Sequence, residues 1–260
     1  MGDRPPLHTR SWPADPAWAS ALIVHGLGEH SGRYHMVGSR LAAAGIHTEA
    51  FDLTGFGESP GRRGHVDRLD TWLDQMDDQV ARLPGDLPRV IIGHSMGGLL
   101  GLAHVLSGRP DPAALVVTAP ALDADVAAWK KKLAPVLGTI APTVPIPAGI
   151  KGEQLSRDPA VGEAYFADPL LVTSSTARLG AVLLATQKSV IARRHTLGVP
   201  TLVLHGADDT LVPATASAPL DGVRNVTREV LANIRHEPYN EPEGPEIIDR
   251  VIAWLEEVLT

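Results

Sequence analysis

The sequence predicts an α/β fold, a mainly parallel central sheet with helices on both faces, and two observations carry that prediction. Short apolar runs alternate with amphipathic stretches along most of the chain, the order expected when crossover helices cover a parallel sheet. The runs are apolar residue after residue rather than at every second position, as befits strands buried on both faces.

The expected buried strands are residues 21–25, 48–53, 90–93, 114–118 and 201–204, with an earlier one at 7–12 and a strand-like stretch at 228–231. Between them, Leu69, Trp72, Leu73, Met76, Val80 and Leu83 recur at helical spacing, and Leu99, Leu102, Ala103 and Leu106 do the same. A last helix begins at Gly244-Pro245 and carries Ile248, Val251, Ile252, Leu255 and Leu259 on one face. The alternation breaks between residues 121 and 196, where no clear strand is legible. Residues 133–150 carry no charge but hold Pro135, Pro142, Pro145 and Pro147. That many prolines makes a continuous membrane-spanning helix implausible, so the segment reads as an irregular apolar insertion lying over a core of residues 1–120 and 197–260.

Composition narrows the function. The 260 residues are 44% hydrophobic and 20% charged, as in an ordinary globular domain. A net charge of −7 lacks the basic footprint that nucleic-acid binding requires. The absence of cysteine excludes disulfides, thiol nucleophiles and thiolate metal sites. The first residues carry prolines and aspartates but no apolar run, which reads as a cytoplasmic protein. No histidine spacing suits a metal, and no glycine loop suits a phosphate.

Gly93-His94-Ser95-Met96-Gly97 follows one expected strand and opens an expected helix, the setting in which a G-x-S-x-G turn presents a serine nucleophile. The turn is so tight that the residues two before and two after the serine must be almost free of side chain. An acyl-transfer serine also needs two backbone N–H groups for the oxyanion. Met96, next after the serine, supplies one. Leu27, in the His25-Gly26-Leu27-Gly28 loop after the first buried strand, is placed for the other.

A serine of this kind needs a histidine base and a carboxylate to orient it, in the chain order serine, acid, histidine. The strand at 201–204 runs into Asp208-Asp209, and Asp209 is the favoured acid, ahead of Asp208 and the more distant Asp123. Of the 11 histidines only His236 follows that turn, so it is the expected base.

These motifs together resemble the monoacylglycerol lipases, in the serine-aminopeptidase-like branch of the α/β hydrolases. The resemblance rests on residues 25–34 (HGLGEHSGRY), on Asp52, Gly55, Gly57 and Ser59, on Arg63-Gly64-His65-Val66, on residues 93–98 (GHSMGG), on the 205–212 turn and on Arg235-His236-Glu237. It covers nearly the whole chain from about residue 7. It implies an α/β-hydrolase fold, a Ser95–Asp209–His236 triad, an oxyanion hole at Leu27 and Met96, and no cofactor or metal. It further implies that Glu29 and Arg33 serve the polar end that receives glycerol hydroxyls; a structural ion pair between them is the other reading.

The expected substrate is a small lipid ester, with monoacylglycerol first and a general carboxylesterase or lysophospholipase activity behind it. A peptidase or a ligand-binding scaffold on the same fold is further off, and no nucleic-acid partner is expected. Residues 121–196 match the family's cap, and contact with a membrane surface would run through it; Lys130, Lys131 and Lys132 read first as a solvated helix face there and second as a contact to lipid headgroups. The leader before residue 21 has room for one strand where the family has two.

Overall fold

The computed structural model describes residues 6–123 and 128–260, with the side chains of 128–132 outside the description. Lys130, Lys131 and Lys132 therefore lie outside it. In chain order the strands are β1 (Thr9–Trp12), β2 (Ala19–Val24), β3 (Ile46–Phe51), β4 (Arg89–His94), β5 (Ala114–Thr118), β6 (Pro145–Pro147), β7 (Ser174–Thr176), β8 (Thr201–Gly206) and β9 (Val226–Leu231). The helices are α1 (His35–Ala43), α2 (Leu69–Val80), α3 (Met96–Val105), α4 (Ala128–Ile140), α5 (Pro159–Ala167), α6 (Ala177–Arg193) and α7 (Gly244–Leu259).

Seven strands form the main sheet in the order β1-β3-β2-β4-β5-β8-β9. Only β1 runs antiparallel; it pairs with β3, Thr9 opposite Phe51. This is the α/β-hydrolase architecture, with β1 its antiparallel edge strand among the described residues.

The run-like hydrophobicity of the strands has a direct cause. Along β2, Leu22 and Val24 join the apolar cluster beneath α2 and α3, while Ala21 and Ile23 join the cluster beneath α1 and α7. Along β5, Leu115 and Val117 point to the first cluster and Ala114 and Val116 to the second. Both faces are core, so these two strands are apolar at almost every position, with Ser20 on β2 and Thr118 on β5 the buried polar exceptions.

The strand order reverses beside β2: β3 lies on one side and β4 on the other. Such a switch point opens a crevice at the carboxyl ends of the strands. Leu27 follows β2, Ser95 follows β4, Asp209 follows β8 and His236 follows β9, so the topology delivers all four to that edge.

Residues 121–196 depart from the irregular segment expected. Helix α4 runs straight through Pro135. Its exposed Leu133, Val136, Leu137 and Ile140 follow helical spacing, and Gly138 lets it approach α6 so closely that a Cβ there would lie 2.7 Å from that of Ala181. The Thr139 hydroxyl donates to Pro135 O at 2.9 Å. Packing against α6 outweighs one missing helical hydrogen bond. Two short strands were also missed: β6 and β7 pair antiparallel. Three-residue strands with Pro at both ends of one leave no periodicity to read. Helix α6 is rooted in the body of the protein, because Leu179 and Val190 belong to the cluster beneath α2 and α3. Among the described residues no helix is long and apolar enough to cross a membrane.

Candidate active site

Ser95 sits between β4 and α3 at φ 50 and ψ −110, a conformation that side-chain-bearing residues adopt only under constraint. The flanking glycines show the constraint. A Cβ on Gly97 would lie 2.0 Å from Val24 O, and one on Gly93 would lie 2.4 Å from Gly97 O. Both obstacles are backbone atoms, so neither can yield. Ser95 N–H donates to Thr118 O at 2.9 Å, tying the turn to β5.

The Ser95 hydroxyl lies 3.0 Å from His236 Nε2, and His236 Nδ1 lies 2.7 Å from Asp209 Oδ2. Three side chains drawn from separate loops thus form one line, and all three are buried. Asp209 Oδ1 accepts from the N–H groups of Leu211 and Val212 at 2.8 and 2.9 Å. Burial pushes this carboxyl up, but hydrogen bonds from His205 and His236 and the Val212 N–H outweigh it and hold it well below the usual carboxylate range. Asp208 is exposed, its N–H spent on Ile234 O at 2.9 Å. Asp123 lies elsewhere on the wall of the same cavity. Of the three acids, Asp209 is the one in hydrogen-bond contact with His236.

Gly206 is what lets the acid and histidine loops meet. A Cβ on it would lie 2.3 Å from Ile234 O and 2.4 Å from Arg235 O. His205 braces the same turn, with Nε2 2.7 Å from Val212 O and Nδ1 2.8 Å from Ser217 Oγ.

Met96 opens α3, so its N–H is among the first-turn amides that find no acceptor within the helix. Leu27 and Met96 both line a cavity of about 510 Å³ together with Ser95 and His236. Its apolar lining includes Leu133 and Leu137 from α4 and Leu183 and Leu184 from α6.

Charged side chains, Glu29, Arg33 and Glu237, line the cavity as well. Arg33 donates to Glu29 Oε2 at 3.0 Å and grips both oxygens of Glu237 at 2.7 and 2.8 Å. Glu29 Oε1 also accepts from Gly26 N–H and from the Tyr34 hydroxyl, both at 2.6 Å. The guanidinium lies 4.8 Å from the centre of the Tyr165 ring. Burial opposes the Arg33 charge, but Glu237 and then Glu29 more than compensate and raise its pKa. Glu29 and Arg33 therefore do form an ion pair, and both also border the cavity. Glu237 and Tyr165 escaped the sequence reading. The Glu237 partner lies 204 residues away, and the one available signal was a carboxylate directly after the histidine.

Among the described residues one group has metal-ligand proximity, His8, Asp52 and Glu58. Asp52 is already committed: its two oxygens accept from the N–H groups of Ser31 and Glu58 at 2.7 and 2.8 Å.

A family model described as serine aminopeptidase, S33, matches residues 15–243. A monoacylglycerol lipase of Mycolicibacterium smegmatis is 35% identical over 243 residues, which are 90% of this chain and 86% of that one. The phospholipase YtpA of Bacillus subtilis is 29% identical, over 96% of this chain and 99% of its own. Among solved structures, the monoacylglycerol lipase of Paleococcus ferrophilus superposes with a TM-score of 0.90 at 29% identity, over 97% and 99% of the two chains.

Proposed function

The chain belongs to the serine aminopeptidase, S33, family of α/β hydrolases, and from that premise we propose that it is a carboxylic ester hydrolase cleaving monoacylglycerol to fatty acid and glycerol. The observation that carries this reading is the line Ser95–His236–Asp209, with contacts of 3.0 and 2.7 Å, at the mouth of a largely apolar cavity.

His236 takes the Ser95 proton as the oxygen attacks the ester carbonyl, and Asp209 steadies the imidazolium by accepting its Nδ1–H. The oxyanion accepts from the N–H groups of Leu27 and Met96, with the N-terminus of α3 adding its positive end. His236 then protonates the departing glycerol oxygen. In the second half water attacks the acyl-enzyme, giving its proton to His236, which passes it to Ser95 Oγ as the acyl–oxygen bond breaks and the fatty acid leaves. These steps balance without metal or cofactor.

Residues 121–196 act as the cap. Their apolar wall takes the acyl chain, and the charged Glu29 and Arg33 meet the glycerol hydroxyls. Val136, Ile140 and Phe166, exposed on the cap, suit passing contact with a lipid surface.

The test compares kcat/KM on 1-monoacylglycerols, lysophosphatidylcholine, p-nitrophenyl esters of graded chain length and aminoacyl amides. Long-chain monoacylglycerol should be preferred, and Ser95→Ala should lose about 10⁴-fold or more in turnover together with fluorophosphonate labelling. A higher kcat/KM on lysophosphatidylcholine or an aminoacyl amide would reassign the substrate. Full activity in Ser95→Ala would remove the mechanism.

A further inference from the structure

His236 belongs to no strand or helix. The chain leaves β9 at Leu231, and the 3-10 turn at Pro238–Asn240 follows the histidine. Something must hold this loop so that Nε2 stays 3.0 Å from Ser95. The Asp209 contact holds the ring but does not hold the loop backbone.

Asp208 N–H ties the loop at Ile234 O, and around the histidine itself the backbone is held by residues 153–157, about eighty positions earlier. Gln154 O and Leu155 O accept from the N–H groups of His236 and Glu237 at 3.3 and 2.8 Å. At the centre of this junction is Glu241, whose side chain is fully buried. Its Oε1 accepts from Arg235 N–H at 2.7 Å, on the residue next to the histidine. Its Oε2 accepts from Arg157 N–H at 2.9 Å, from the Ser156 hydroxyl at 3.1 Å and from Arg157 Nε at 3.3 Å. Arg235 returns the grip, its guanidinium donating to Glu153 O and Ser156 O at 2.6 and 3.0 Å.

We infer that Glu241 is a positioning residue for His236, joining residues 153–157 and the histidine loop into one rigid unit. Only a carboxylate fits the role. Donors converge on both oxygens and each set includes a backbone N–H, so a glutamine in either orientation turns its NH₂ group against one of them. Bonds from N–H to a buried anion are also the stronger kind, and one left unmade is costly. The inference rests on His236 being the general base of the reaction proposed above.

The experiment measures kcat per fluorophosphonate-titrated site, KM and melting temperature for Glu241→Gln, for Glu241→Asp and for the double variant Ser156→Ala/Arg157→Met. Normalising to titrated sites removes misfolded protein from the rate. Misplacement of a reacting group by about 1 Å costs on the order of 10²-fold. Glu241→Gln should therefore lose about 10- to 100-fold in kcat, with KM changed by less than about 3-fold. Glu241→Asp, which keeps the charge, should recover part of the loss. The double variant weakens only the 156–157 side and should lose about 3- to 10-fold in kcat with a near-native melting point; it decides the matter if Glu241→Gln does not fold. Melting points that fall while kcat per site stays within about 2-fold of wild type would make Glu241 merely structural. His236→Ala separates the two failures: if it remains active the general-base reading is gone, and if it is dead while the Glu241 variants turn over normally, only this inference is lost.

Discussion

His94 and His236 face each other with ring centroids 4.9 Å apart, yet their circumstances differ. His94 is the buried last residue of β4, its Nδ1 3.0 Å from Thr118 Oγ1. Burial, and then repulsion from His236, push it down to about 3. A ring that stays neutral leaves its neighbour free to carry the positive charge that develops during proton transfer.

That difference has a thermodynamic signature. Unfolded, His94 binds a proton below about pH 6.5, whereas the folded protein refuses it until about 3. The stability it contributes is thus whole above 6.5 and drains away as pH falls toward 3. Between pH 7.5 and 4.5 the wild type should lose on the order of 2–3 kcal/mol more than His94→Gln. Urea unfolding at the two pH values measures the gap; equal losses would mean that His94 is protonated in the fold.

Gly206→Ala should damage activity more than its size suggests. The added Cβ meets Ile234 O and Arg235 O below 2.5 Å, and relief requires moving the backbone that carries His236. We expect at least about a 10²-fold loss in kcat and destabilisation of about 1–3 kcal/mol. Kinetics together with calorimetry would check this, and wild-type turnover would show that the loop has slack.

Arg33→Met removes the sole guanidinium between two buried carboxylates, Glu29 and Glu237. Breaking a buried pair from one side costs about 3–5 kcal/mol, so the melting temperature should fall steeply. Adding Glu237→Gln to Arg33→Met should restore part of the loss. If Arg33 also receives glycerol hydroxyls, surviving Arg33→Met protein will show KM raised for monoacylglycerol and unchanged for p-nitrophenyl butyrate. Equal effects on both substrates would leave Arg33 with the ion pair alone.

Leu183, half-buried on α6, belongs to the apolar lining of the cavity. Leu183→Trp should fill part of the acyl wall, lowering kcat/KM for long-chain monoacylglycerols by about 10-fold or more and sparing butyryl esters. A chain-length profile identical to wild type would put the acyl chain elsewhere.

What the sequence determined by itself was whatever local physics governs. Strands buried on both faces must be apolar at nearly every position, and the stretch at 114–118 matches β5 residue for residue. Neighbouring strands are read within a few residues at their ends, where termini fray. The turn at Ser95 is equally local, since Gly93 and Gly97 are demanded by backbone atoms within the elbow and on β2. The preference for Asp209 over Asp208 rests on spacing, three residues past Gly206 and two before Leu211; in the fold Asp209 is buried and Asp208 exposed.

Only the tertiary structure decided what depends on distant partners. Helix α4 passes through Pro135 because α6 lies against it, and no window of sequence contains both. Glu237 reads as one more charged residue until Arg33 arrives from 204 positions away. Glu241 reads likewise until Arg157 meets it across 84. A buried carboxylate takes its meaning from the donors that converge on it, and convergence belongs to the folded chain.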